Sequence, residues 1–302
     1  MFDFVAYPIG HLLRFIYEIL SFKNYGIAII LLTVIIRTLL LPLYIKQYRS
    51  TSKMGEIQPK MKKLQEKYKN DSEKLNQHMM ELYRENDINP AGGCLPLVLQ
   101  IPILFSLYYV ISQPLKYMFG MNSSIIDKLF STIPHNMITV KNMHDLSIIN
   151  YYSNNMDKLH PVNSILNKSQ LLNMNFFGIN LGYIPSFNFH SMSAHDMTLM
   201  IIPVLAVVTT YISVRYSSQD MPSTSENKMQ DSLQKNMLLL SPIMTGFISF
   251  QVPAGMGLYW IISNVYQIFQ QMFMNKFIIK KEANSNIKCK NKNKISKIKK
   301  EY

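Results

Sequence analysis

The sequence predicts an all-α integral membrane protein: five transmembrane helices with a cytoplasmic antiparallel helical hairpin. Three observations predict it. Only 16% of the 302 residues are charged and 48% are hydrophobic, whereas about a quarter of an ordinary soluble domain is charged. The uncharged residues fall in blocks: 26–45 holds one charge, and 94–115, 197–214 and 236–275 hold none. Apolar windows of about 18 residues or more can cross a bilayer core of about 30 Å as helices. Lysine and arginine, in contrast, concentrate in two segments, ten in 46–93 and ten in 276–302. Little room is left for a compact soluble enzyme.

In chain order, residues 1–22 carry Asp3, Arg14 and Glu18 and lack both a continuous apolar core and a small-residue cleavage site, so no cleavable signal peptide is expected. Phe4, Tyr7, His11, Arg14 and Phe15 suit a short amphipathic helix lying in the outer interface. The first span is 23–45. Residues 46–93 form the hairpin: Ile57, Met61, Leu64 and Tyr68 recur at spacings of four and three, as do Leu75, Met79 and Leu82. Between them Asn70-Asp71-Ser72 supplies turn and N-cap chemistry, with Glu73 in the next first turn. The second span is 94–115 and the third 197–214. The 40-residue uncharged block breaks at Val252-Pro253-Ala254-Gly255 into spans 236–252 and 255–275.

Orientation follows from the basic residues. Segments 46–93 and 276–302, with the three basic residues of loop 215–235, fall on one side, which is the cytoplasm. The N-terminus and the long segment 116–196, with five basic residues before Met197, are then external. That segment is rich in Asn, Ser, His and Met and is broken by Pro134, Pro161 and Pro185. Its histidines show no ligand spacing, so scattered surface histidines are expected and no metal.

Arg37 is the sharpest single residue. It lies near the middle of the first span, where a charge costs about 2.5–3.5 kcal/mol and must face protein or water. No acidic residue lies inside any span to pair with it. It either ties helices together or is kept in a wet cavity, and the absence of an intramembrane acid favours the cavity. Gln100, Thr209, Thr210, Ser213, Tyr259, Trp260, Ser263 and Asn264 are polar or amphipathic residues of other spans that could line it. Each alone is more often glue between helices.

No GxGxxG, P-loop, GxSxG or HExxH pattern occurs, and Cys94 and Cys289 form no CxxC pair. Neither a cofactor nor an enzyme activity is expected. An intramembrane hydrolase would need a nucleophile and base within the spans. A small-molecule transporter, the alternative reading, would usually show two related halves, and no internal repeat is found.

The run Asn89-Pro90-Ala91-Gly92-Gly93-Cys94-Leu95-Pro96-Leu97-Val98-Leu99-Gln100-Ile101-Pro102-Ile103 resembles the signature of the YidC/Oxa/Alb family of membrane protein insertases. So do Asn24-Tyr25-Gly26 with the Arg37 span, Pro42-Leu43 and Gln47, and the last span from Val252-Pro253-Ala254-Gly255-Met256-Gly257-Leu258-Tyr259-Trp260 through Asn264 to Gln270-Gln271. The resemblance covers about residues 22–118 and 174–280.

It implies a five-span insertase and chaperone of the kind found in single-membrane bacteria, N-terminus outside and C-terminus cytoplasmic. Its groove, open to cytoplasm and lipid, would use Arg37, Gln100, Ser213, Tyr259 and Trp260 to receive nascent membrane proteins. Hairpin 53–87 matches the family's mobile cytoplasmic arm. A basic tail implies ribosome contact through Lys288, Lys290, Lys292, Lys294, Lys297, Lys299 and Lys300, with ribosomal RNA or anionic lipid as the partner and the Sec translocon as a further one. The chain departs from the family in three places. Residues 119–173 exceed its usual external loop, no cysteine precedes Cys94, and Ser213 stands where relatives often carry glutamine.

Overall fold

The computed structural model describes residues 2–88, 95–138, 140, 142–186, 194–219 and 240–276. They are mostly helical: α1 (Asp3–Phe15), α2 (Tyr25–Lys67), α3 (Ser72–Glu85), α4 (Leu95–Ser112), α5 (Pro114–Tyr117), α6 (Ser123–Ser131), α7 (His144–Asn154), α8 (Ala194–Leu199), α9 (Ile201–Gln219) and, after α10 (Leu240–Ser249), α11 (Ala254–Met274). A two-stranded antiparallel hairpin, β1 (Asn175–Phe176) and β2 (Ile179–Asn180), lies between α7 and α8. Among the described residues, Tyr25–Lys67 and Met197–Ser217 are long and apolar enough to cross a membrane, and Gln100–Ser112 and Leu240–Ser249 are shorter apolar helices. Motif residues 89–94, most of loop 215–235 and the tail lysines 288–300 lie outside the described residues.

The chain divides into two units. The first comprises Met1–Leu39, Leu97–Ile212 and Asn236–Asn264. Helical spacing builds its core: Tyr25, Ile29 and Leu32 from α2 and Leu107, Ile111 and Leu115 from α4 and α5 are fully buried. The Tyr25 hydroxyl also donates to the Ile111 carbonyl at 3.4 Å. The opposite faces are apolar too, with Val34, Phe105, Val204, Val208, Ile243 and Phe247 exposed. A helix facing water would carry polar residues there, whereas lipid tails accept apolar ones on every side.

Helix α1 packs within this unit through Ala6, Gly10 and Leu13, while Phe4, Tyr7, His11, Arg14 and Phe15 form its exposed face. The Tyr117 hydroxyl donates to Asp3 Oδ1 at 2.6 Å, and this bond holds the Asp3 carboxyl below its ordinary range. The described part of segment 116–196, which the sequence presents as a loop, is folded. Asn122 caps α6 by accepting from the Ser124 N–H, and α7 is buried almost throughout. Its apolar residues fall in short groups such as Ile148-Ile149, too brief to show a period in the sequence.

The second unit comprises Leu40–Pro96, Ser213–Lys235 and Val265–Tyr302. The sequence predicts a separate helix from Lys53, but α2 runs unbroken from Tyr25 to Lys67 with Pro42 and Pro59 inside it. A proline removes one backbone bond and usually bends a helix. No Gly, Asn or Asp between 44 and 54 offers a stop. The Asp71 carboxylate accepts from the Lys74 N–H at 3.1 Å and so caps α3, and that bond lowers its pKa. Ile57 and Met61 of α2 are buried with Leu82 of α3 and Ile88, flanked by Met54, Leu64, Met79 and Tyr83.

Candidate functional site

The residues that come together do so on α11. Its start follows from Pro253, which ends the preceding turn, and from two carbonyls of segment 116–196. The Ala254 N–H donates to Tyr183 O at 2.8 Å and the Gly255 N–H to Leu181 O at 2.9 Å. Donors that a helix N-terminus leaves free are thereby satisfied, which fixes where α11 begins. One turn on, a Cβ on Gly257 would lie 2.4 Å from Ile202 Cγ2. Only glycine lets α9 approach α11 so closely.

Three polar contacts then reach α11 from three other helices. Gln100 Nε2 on α4 donates to the Tyr259 hydroxyl at 3.2 Å. Arg37 Nε on α2 donates to Ser263 Oγ at 3.0 Å, and Arg37 Nη2 also contacts that oxygen. Asn264 Nδ2 donates to Thr210 Oγ1 at 2.8 Å and to Thr209 Oγ1 at 3.3 Å on α9. Tyr259 and Ser263 are each 3% exposed. Four positions apart on one helix, they are about 6 Å apart along the axis and share a face. Arg37 and Gln100 thus meet the same stripe of α11.

Of the five groove residues read from the sequence, Arg37, Gln100 and Tyr259 join this network, and Trp260 is half-buried beside it. Ser213 is buried and falls in the second unit, where the Tyr48 hydroxyl donates to Asn275 Oδ1. Arrangements of this kind hold helices together where no water competes, and they place a cation at a chosen depth. Sequence reasoning missed the Tyr48–Asn275 pair and Asp145. The first left a weak signal, an amide at the very end of an uncharged block. Asp145 left none: it is 3% exposed and accepts from the Lys116 N–H at 3.0 Å. Burial raises its pKa to about 6 against the opposing bonds from the Lys116 and Leu115 N–H groups.

Apolar exposed helix faces around a buried polar network define a mostly helical membrane protein. Within that class the assignment is specific: the family model for the 60Kd inner membrane protein matches residues 15–282, and the chain belongs to that family. The membrane protein insertase YidC of Caldanaerobacter subterraneus subsp. tengcongensis is 33% identical over 273 residues, 90% of this chain and 95% of that protein. The membrane protein insertase YidC of Clostridium perfringens is 32% identical over 260 residues, 86% of this chain and 82% of that protein. The chain spans 39% of the longer Geobacter sulfurreducens YidC, at 29% identity. It is a bacterial membrane protein.

Proposed function

We propose that the chain is a membrane protein insertase. The observation that carries this reading is the match to the Caldanaerobacter insertase along 95% of that protein's length, and the family match over residues 15–282 takes in the helices that bear Arg37, Gln100 and Tyr259. In this reading five spans cross the membrane with the N-terminus outside and the C-terminus in the cytoplasm. Helix α2, about 65 Å long at 1.5 Å per residue, exceeds the bilayer core. Its second half, with α3, is the cytoplasmic hairpin, a docking arm for incoming clients.

The clients are nascent membrane proteins whose short external tails carry polar and acidic groups. Moving such groups through hydrocarbon costs several kcal/mol for each unsatisfied one. A wet groove open to the cytoplasm and to lipid, ending midway, shortens the dry distance. Arg37 attracts the tail's negative groups, more strongly at low dielectric than in water. Gln100 and Tyr259 supply donors and acceptors, while Trp260 and neighbouring methionines give adaptable apolar contact. The client helix leaves sideways, and burial of its roughly 20 apolar residues drives the step without nucleotide. Residues 276–302 hold the ribosome through ribosomal RNA, with anionic lipid and the Sec translocon as further partners.

Purified protein in liposomes tests this. Client insertion without ATP supports the insertase, and solute flux without insertion supports a small-molecule transporter instead.

A further inference from the structure

Two of the most exposed aromatic side chains of the first unit belong to segments that are hydrogen-bonded to each other at the start of α2. Phe22 and Phe177 are each 91% exposed. Both are held with positive φ, 53° at Phe22 and 50° at Phe177. This left-handed region is uncommon for any residue but glycine, Asn or Asp, and is unfavourable for a bulky one. Phe22 and Lys23, the latter with φ 57°, form the turn that leads into α2. Phe177 and Gly178 form the two-residue tip between β1 and β2, where asparagine and glycine are preferred.

The segments that bear the two tips are fastened to each other at the start of α2. Asn24 Nδ2 donates to Asn175 O at 2.8 Å, and the Tyr25 N–H donates to Asn173 O at 3.0 Å. The Phe176 ring lies on Gly26 so closely that a Cβ there would stand 2.4 Å from it. Phe176 in turn meets the Phe177 ring edge to face, with centroids 4.7 Å apart. Both tips therefore lie level with Tyr25 and Gly26, the first turn of a helix apolar enough to cross a membrane. Ile19 and Leu20, at 63% and 48% exposed, continue the apolar surface, and the exposed Lys23 adds a cation beside it.

We propose that Phe22 and Phe177 are a paired anchor in the outer leaflet's headgroup and upper acyl region. The proposal rests on α2 being a span. The occupant is lipid because the patch is continuous with the first apolar turn of that helix. Exposed phenylalanines bury at the headgroup–acyl boundary, and a neighbouring lysine can reach lipid phosphate. Fixed to the rigid start of α2, the anchor sets the depth of Arg37, which is twelve residues, or about 18 Å, further along.

The test uses the full chain in phosphatidylglycerol and phosphatidylethanolamine vesicles. Phe22→Trp and Phe177→Trp are each read as a difference from the parent, whose one tryptophan is Trp260. Val34→Trp, at a site 39% exposed within α2, marks the span. Bromines near the headgroup end of the acyl chain should quench the two tip tryptophans at least about twofold, and iodide on both sides should not. Tips quenched by iodide and indifferent to bromine overturn the anchor. If Val34→Trp still responds to bromines near the chain methyl in that case, the span stands and the anchor alone fails. If Val34→Trp too answers only to iodide, α2 is not a span and the anchor falls with it.

Discussion

Arg37 and Ser263 stand 226 positions apart in sequence and one hydrogen bond apart in the structure, with Arg37 Nε donating to Ser263 Oγ at 3.0 Å. Serine is neutral, so this contact orients the guanidinium without cancelling its charge. That relationship ties α2 to α11, one of the two readings the sequence left open, and the proposed function adds that the same cation attracts a client.

Arg37→Lys should retain much of the insertion activity, because a point charge at the same depth suffices for attraction. Arg37→Ala should fold with a thermal midpoint close to the parent's and insert clients with acidic external tails about tenfold less well. That factor corresponds to about 1.4 kcal/mol of lost attraction. Midpoints in detergent and insertion in liposomes, measured on both variants, decide it. An unfolded alanine variant would assign Arg37 to helix packing alone.

The bond from Gln100 to Tyr259 should show as coupling in a double-mutant cycle of Gln100→Leu and Tyr259→Phe, read from detergent-induced unfolding. About 0.5–1.5 kcal/mol is expected, the range for hydrogen bonds between membrane helices. Additive effects would mean that the two side chains part in the bilayer.

Gly257 should tolerate no side chain while Ile202 stays. Gly257→Ala places a Cβ against Ile202 Cγ2 and should cost about 1–3 kcal/mol of stability, the usual penalty for overpacking. In an Ile202→Ala background, which carries its own cavity cost, the same Gly257→Ala change should cost much less. An unchanged cost in that background would show that the contact is not the cause.

Asp145 predicts a pH dependence outside the membrane helices. Its folded pKa, about 6, lies above the ordinary aspartate value of 3.8. Between those values the folded state binds more protons than the unfolded one, so stability should fall as pH rises through that window. The gain is full below the lower value and lost above the upper one, and the gap between them corresponds to about 3 kcal/mol. Unfolding midpoints from pH about 4 to 7 should slope down in the parent. Asp145→Asn should flatten that slope.

Deleting residues 288–302 should reduce co-sedimentation with ribosomes at low salt and leave membrane insertion of the protein itself intact. Segment 276–302 carries ten lysines against Glu282 and Glu301, so whatever binding remains should weaken steeply with salt through counterion release. Unchanged co-sedimentation would assign the tail to anionic lipid.

By itself the sequence determined which stretches are apolar helices and which residues are polar within them. A long uncharged run satisfies its backbone internally whatever surrounds it, so composition alone reveals it. Caps are equally local, and Asp71 is legible from its neighbours alone. Which polar side chains meet was decided only by the tertiary structure. Arg37 or Gln100 could bond to any neighbouring helix that offers an oxygen, and it is the close approach at Gly257 and the start of α11 beneath Tyr183 and Leu181 that bring Ser263, Tyr259 and Asn264 into reach. The same holds for the buried face of α1 through Ala6, Gly10 and Leu13, and for Asp145. Their partners lie on distant segments, and a contact between distant segments leaves no period or spacing in a single chain.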